Sequence, residues 1–291
     1  MNKSIFSLIL ISLIMSTTDA FSQKTDVNHV EWKTAAQLQN PDGSLSLGFA
    51  GAINGVSNDV LLVTGGANFP DKMPWEGGKK SYSKTIHLLE KCGDKYSWIK
   101  VVKTELPESI AYCGTTTTDL GVVYVGGENE NGLSNKSYIL KWNAAKKEVE
   151  IKSLPNFPFA IANIALTQID NVVYAVGGDE ATKSSDYFAS LDLNDTNSEW
   201  KALPKLPLAL ANSVVIAQKG QNGIGIYVVG GRTKTASGIS DLHHTTFVFD
   251  VKTQQWKNAA AISDGKNTTN FSAGAGVAVG KHSIVIVGGD N

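Results

Sequence analysis

The sequence predicts an all-β fold of the propeller type, in which four-stranded sheets repeat radially around a channel. Two observations carry this. Five apolar, strand-like runs each end in a glycine pair: Val63-Thr64-Gly65-Gly66, Tyr124-Val125-Gly126-Gly127, Ala175-Val176-Gly177-Gly178, Val228-Val229-Gly230-Gly231 and Ile286-Val287-Gly288-Gly289. The pairs recur at intervals of roughly 50 to 60 residues, the length of one blade. Tryptophans follow three of them at related offsets, at Trp98, Trp200 and Trp256.

Each repeat reads in the same order. A turn signal comes first (Asn58-Asp59, Gly121, Asp170-Asn171, Asn222-Gly223, Gly280-Lys281), then a β-branched run that ends in the glycines, which is a hairpin entering a buried strand. Upstream of three turns lie the matching segments Pro107 to Tyr112, Pro158 to Asn163 and Pro207 to Asn212. Their small residues are expected on the innermost strands, with Tyr112, Asn163 and Asn212 facing the channel or holding buried hydrogen bonds. A third strand follows (Ile86 to Leu89, Phe188 to Leu191, Thr246 to Phe249), and the tryptophan of a fourth is expected to pack between blades. In the second repeat Trp142 falls early and Val149 takes the later slot.

Glycine and tryptophan at these spacings resemble the kelch repeat over roughly residues 30 to 291. A repeat array of this kind behaves as one body, so residues 23–291 are expected to form a single domain of four complete blades and part of a fifth. Trp32, in Val30-Glu31-Trp32-Lys33, resembles an outermost strand that completes the last blade. The third strand needed between it and Val287 is missing from the sequence, and open sheet edges are avoided, which points to a propeller truncated at its C-terminus.

Composition narrows the partners. Net charge is −1, charged residues make up 18% and no long run of one sign occurs, which argues against nucleic acid or an anionic membrane surface. Residues 1–22 read as a secretory signal: Lys3, an apolar stretch from Ile5 to Met15, and a small-x-small site at Ala20-Phe21-Ser22. That stretch is too short to span a bilayer, so no membrane anchor is expected once the signal is cleaved, and the mature chain would be periplasmic or secreted. Cys92 and Cys113 are the two cysteines, and either a bridge or two separate buried thiols fits an exported β protein.

The longest insertion, Gly66 to Tyr82, follows the first glycine pair and carries aromatic, proline and charged residues where a ligand would be met, although a solvated surface loop has the same composition. Its motifs are specific. Phe49-Ala50-Gly51, Ser57-Asn58-Asp59, Gly65-Gly66-Ala67-Asn68-Phe69 and Glu76-Gly77-Gly78-Lys79-Lys80-Ser81-Tyr82-Ser83 before Ile86-His87-Leu88 resemble the sialic acid mutarotases, exported N-acetylneuraminate epimerases on a six-bladed kelch propeller. The blade order resembles the cyclically permuted branch of that family.

The resemblance implies a mutarotase that interconverts the α and β anomers of N-acetylneuraminate. A base takes the anomeric hydroxyl proton, an acid protonates the ring oxygen, and the opened ketone recloses on its other face. No cofactor or metal is implied; the partner is a small sugar acid, in carbohydrate metabolism. A glutamate and an arginine in a segment G-E-x-x-x-G-x-R-T do this work in the family. Gly127-Glu128-Asn129-Glu130-Asn131-Gly132-Leu133-Ser134 keeps the glutamate but has Ser134 where arginine belongs. The resemblance therefore places the catalytic segment beyond Asn291 and leaves Glu128 as a candidate within the chain, a rim carboxylate pairing with Lys136 being the alternative. Substrate-binding candidates are Arg232, the sole arginine and a fork suited to a carboxylate, together with Asn68, Glu76, Lys79, Lys80 and Tyr82. Asp179 and Asp290 share the post-glycine position.

Adjacent His243 and His244 on a strand would face opposite ways, so no metal site is expected. Too few histidines for a copper oxidase, and no S-x-D-x-G-x-T-W boxes of hydrolytic sialidases, disfavour those relatives. The alternative to the mutarotase is a non-catalytic kelch propeller that binds a glycan or protein.

Overall fold

A computed structural model describes residues 31–40, 42–100, 102–220 and 223–291, so the signal segment lies outside the described residues. Thr34–Asn291 form one compact unit. It holds four antiparallel blades of four strands each. Blade 1 comprises Ile53–Ser57, Val60–Thr64, Ile86–Cys92 and Lys95–Trp98; blade 2, Gly114–Thr118, Gly121–Val125, Ser137–Asn143 and Glu148–Leu154. Blade 3 comprises Ala165–Ile169, Val172–Val176, Phe188–Asp192 and Lys201–Ala202; blade 4, Val214–Gly220, Gly223–Val229, Thr246–Asp250 and Gln255–Asn258. A hairpin of Ser272–Val279 and Ser283–Asp290 follows. The expected kelch-type all-β architecture is the one the structure has.

Local chemistry explains the blades. Asn58-Asp59 and Asp170-Asn171 sit at positive φ (48° and 61°, 49° and 64°), the two-residue turn whose twist suits a hairpin. The second strands of blades 2 and 3 are buried on both faces between neighbouring blades, all five residues of Gly121–Val125 included. Apolar clusters fill the joints between successive blades: Leu62, Ile110 and Leu140 in the first, Phe157, Ile161 and Val173 in the second, and Phe188, Leu210 and Phe249 in the third.

At the first four pairs the first glycine is required because it passes close to the backbone that leads into the next sheet. Gly177 has φ 63°, and a Cβ there would lie 2.1 Å from the Leu210 carbonyl oxygen, which also accepts the Gly178 N–H at 2.8 Å. The same donor and carbonyl recur as Gly127 to Ile161 and Gly231 to Phe271.

Two expectations need correction. Pro107 to Tyr112, Pro158 to Asn163 and Pro207 to Asn212 are not the innermost strands; they are blade-to-blade crossings that end just before them. Their backbone carbonyls at Ile110, Ile161 and Leu210 lie against the preceding blade's first glycine, those of Ala111, Ala162 and Ala211 against the following blade's second. Tyr112, Asn163 and Asn212 close each crossing at positive φ (59°, 54°, 54°). Trp32 is 76% exposed and lies in no strand; the final sheet has two strands among the described residues, so no third strand is there to pair with it. Of the two readings of the cysteines the structure has the unbridged one: both are free thiols, Cys113 partly buried and Cys92 exposed, not buried.

Strand register locates Trp142. In blades 1 and 4, Leu89 and Phe249 on the third strand face Trp98 and Trp256 on the outer strand. The same position in blade 2 pairs Leu140 with Ile151, and Trp142 lies two residues further along the third strand, opposite Val149. The other tryptophans tie their blades backwards: Trp98 Nε1 donates to the Gln37 carbonyl, Trp200 to Pro155 and Trp256 to Pro204.

Candidate functional site

The crossings build the mouth of the channel. Backbone N–H groups link successive blades in a chain: Tyr112 donates to the Gly51 carbonyl, Asn163 to Tyr112, Asn212 to Asn163 and Ala273 to Asn212, all at 2.8 to 3.0 Å. A cavity of about 460 Å³ lies inside this arc, lined among others by Tyr112, Asn163, Asn212 and Ser213. Gly114 pairs with Val125, so the residues just past the glycine pairs share this end of the blades. Single bridges set them against the crossings: Ala111 with Glu128, Ala162 with Asp179 and Ala211 with Arg232.

Two charged clusters result. In the first, the ribbon Ser81–Tyr82 of blade 1 reaches blade 2: Tyr82 donates its phenolic hydrogen to Glu128 Oε1 at 2.9 Å, and Lys80 Nζ lies 3.0 Å from the same oxygen. The Lys80 ammonium also sits 4.9 Å from the centre of the Tyr112 ring, a cation–π contact. Burial pushes the Lys80 ammonium down, but the hydrogen bond and charge of Glu128 outweigh it and raise its pKa. Burial, then the bond to Glu128, raises that of Tyr82.

The second cluster centres on Asp179, 2% exposed. Its carboxylate accepts from Asn163 Nδ2 and Ser184 Oγ, each at 3.0 Å, and from Arg232 Nη2, with Lys234 Nζ at 3.9 Å. Arg232 Nη1 donates to Ser240 Oγ at 3.2 Å. Asn163 joins the clusters, because its side chain holds Asp179 while its backbone N–H holds Tyr112.

Lys80, Tyr82 and Glu128 are thus brought together, and Arg232 meets Asp179. Glu128 does not pair with Lys136 as the alternative had it: Lys136 Nζ lies 3.1 Å from Glu108, and the long insertion supplies Lys80 to Glu128 instead. Asn68 faces away from this mouth; its amide donates to the Gly48 carbonyl at 3.1 Å, and with Tyr82 it lines a separate pocket on blade 1 floored by Phe49. Glu76 caps its own turn, accepting the Met73 N–H at 3.2 Å, and Glu76 and Lys79 are exposed on the insertion. Sequence reasoning missed Lys234, Ser184 and Ser240; the alternation Arg232, Lys234 on a short ribbon was the signal for the first.

His243 Nε2 meets Thr233 Oγ1 and His244 Nδ1 meets Asn270 Oδ1, both at 2.9 Å. Among the described residues no group of three His, Cys, Asp or Glu is placed to hold a metal, and no helix is long and apolar enough to cross a membrane.

Comparison with known proteins adds the family. Residues 13–151 match the model described as N-acetylneuraminate epimerase, and residues 225–261 match the Kelch motif. The chain is 39% identical over 129 residues to an N-acetylneuraminate epimerase of Vibrio cholerae and 34% over 123 residues to one of Haemophilus influenzae; each alignment covers 40% of this chain and 32% of the relative. The chain therefore spans about a third of the length of the curated relatives it matches. It is similar to the solved structure of YjhT, with a TM-score of 0.68 at 14% identity over 91% of this chain and 83% of that one, a likeness of fold. The chain is accordingly a kelch-type β-propeller protein that resembles the N-acetylneuraminate epimerases through its first two blades.

Proposed function

We propose that the chain is an exported sialic acid mutarotase, periplasmic or secreted, that interconverts the α and β anomers of N-acetylneuraminate by acid/base-assisted ring opening. The observation that carries the reading is a coincidence of place: the segment matching the epimerase family, 13–151, is the one that assembles Lys80, Tyr82 and Glu128 beside Tyr112, which lines the channel cavity. Glu128 takes the proton of the anomeric hydroxyl, and Lys80, held in its ammonium form, donates to the ring oxygen as the ring opens. The proton on Glu128 then returns to Lys80 across their 3.0 Å contact, and ring closure reverses the steps on the other face. Tyr82 keeps Glu128 in position.

The test is direct. Pure α-N-acetylneuraminate is added and the anomeric signals are followed by proton NMR; equilibration no faster than in buffer sinks the catalytic reading. Export is tested by mass spectrometry of protein recovered outside the cytoplasm, with Gln23 as the expected first residue. A second reading, a kelch propeller that binds a glycan or protein without catalysis, is favoured by the match of residues 225–261 to the general Kelch motif. Ligand binding without faster equilibration would support it.

A further inference from the structure

We infer that Asp179, Arg232 and Lys234 form a carboxylate-binding site on the rim of blades 3 and 4, outside the family-matched segment, with Asp179 as the positioning residue. It deepens the mutarotase reading and rests on it only for the choice of first probe. The charge balance is the starting point. A single buried carboxylate is compensated by a single cation, yet Asp179 faces two, Arg232 and Lys234, whose side chains remain 18% and 32% exposed. The nearby Glu180 carboxylate is taken by Lys183 at 3.5 Å, and the exposed Asp241, opposite Thr233, bonds to neither cation. Within contact distance, therefore, two cations face the one buried carboxylate.

The geometry is built rather than incidental. Asp179 is fixed through its backbone, exchanging both hydrogen bonds with Ala162 (2.7 and 3.0 Å), and through its side chain by Asn163 and Ser184. Ser184 also accepts the Lys234 N–H at 3.0 Å, so the residue that holds Asp179 holds the second cation. Arg232 exchanges both backbone bonds with Ala211 (2.8 and 2.9 Å) and leans on Ser240, while Lys234 Nζ donates to the Glu180 carbonyl at 3.0 Å. These contacts use only some of the N–H groups that a guanidinium and an ammonium carry. What remains is a planar fork beside a point charge, locked before any ligand arrives, which suits a carboxylate on a small molecule. Asp179 itself is too enclosed to touch that ligand; it acts through Arg232.

The sole arginine makes the test specific, because its Nε–Hε group gives one resonance in a proton–nitrogen correlation spectrum. The intact chain is titrated with N-acetylneuraminate, with its methyl ester and with glucuronate. The expected result is a saturable shift of the Arg232 signal with the free acid, and binding on the order of tenfold weaker for the ester. Arg232→Lys keeps the charge but loses the fork and should also bind about tenfold more weakly. Asp179→Asn should broaden the arginine signal and close the gap between acid and ester; should that variant fail to fold, Lys234→Ala reports on the same site from its exposed side. A response to glucuronate alone would uphold the carboxylate site and sink the sialic acid reading. An arginine signal unmoved by both acids, or equal binding by Arg232→Lys, would overturn the site.

Discussion

Tyr82 and Lys80 converge on one oxygen of Glu128, at 2.9 and 3.0 Å, so a blade 1 insertion fixes the carboxylate that follows the blade 2 glycine pair. The group is partly solvated, with side-chain exposures of 33% for Lys80 and 29% for Glu128, and surface pairs of this kind contribute little to folding. Glu128→Gln should therefore shift unfolding by less than about 1 kcal/mol. Its effect on anomer exchange should be far larger, a loss of roughly a hundredfold if Glu128 moves the proton. Urea unfolding and proton NMR on the same sample separate the two, and an undiminished rate removes Glu128 from the chemistry.

Gly177 tests the blade joint. Its Cβ position lies 2.1 Å from a backbone carbonyl that cannot withdraw without breaking the bond to Gly178, so Gly177→Ala should cost about 2 kcal/mol or more. Gly238 has a similar φ of 82° with no atom within 4 Å of its Cβ position, and Gly238→Ala should cost about 1 kcal/mol, the backbone term alone. Equal losses in urea midpoint would show that φ, not the close approach, decides.

Trp142 and Val149 pack against each other across the outer ladder of blade 2. Trp142 is 4% exposed and Val149 2%, both in the cluster between blades 1 and 2, so Trp142→Ala should lose about 3 to 5 kcal/mol. Because the two residues face each other across the ladder, the losses of Trp142→Ala and Val149→Ala should not add, and a double variant equal to the sum of the singles would mean that the pair does not pack together.

What could be read from the sequence follows from how local each signal is. Glycine pairs, turn residues and β-branched runs act within a few residues, so the blades and their order were legible. Side-chain partners were not, because they join blades: Lys80 reaches Glu128 across 48 positions and Asp179 reaches Arg232 across 53. The small residues before Tyr112, Asn163 and Asn212 misled for the same reason, since the crossings they belong to run against the glycines of both neighbouring blades instead of crowding at the axis.

The two thiols should differ in reactivity. Cys92 is exposed at the end of a strand, whereas Cys113 is held by its contact with the Gly126 carbonyl at 3.2 Å, and burial, then Glu108, pushes its pKa far up. A disulfide-exchange reagent should label one thiol quickly in the folded chain and the second only on unfolding. Two fast thiols, or none, would contradict this placement.

His87 links stability to pH. Its ring lies between Phe49 (6.0 Å) and Trp98 (6.1 Å), Nε2 is buried without a partner, and burial lowers its pKa below 6.5. His243 is lowered as well, first by burial and then by His244, with Asp241 opposing. A lowered pKa means that the unfolded chain takes up protons first, so each histidine's contribution is complete above 6.5 and is lost as pH falls through the folded value. Urea midpoints measured between about pH 7.5 and 5 should therefore decline through the acid half of that range. His87→Phe keeps a flat ring between the same neighbours and removes the titration, so it should flatten the decline in part, leaving the share of His243. A pH slope unchanged in His87→Phe would mean that the His87 proton is bound equally in both states, through water that reaches Nε2.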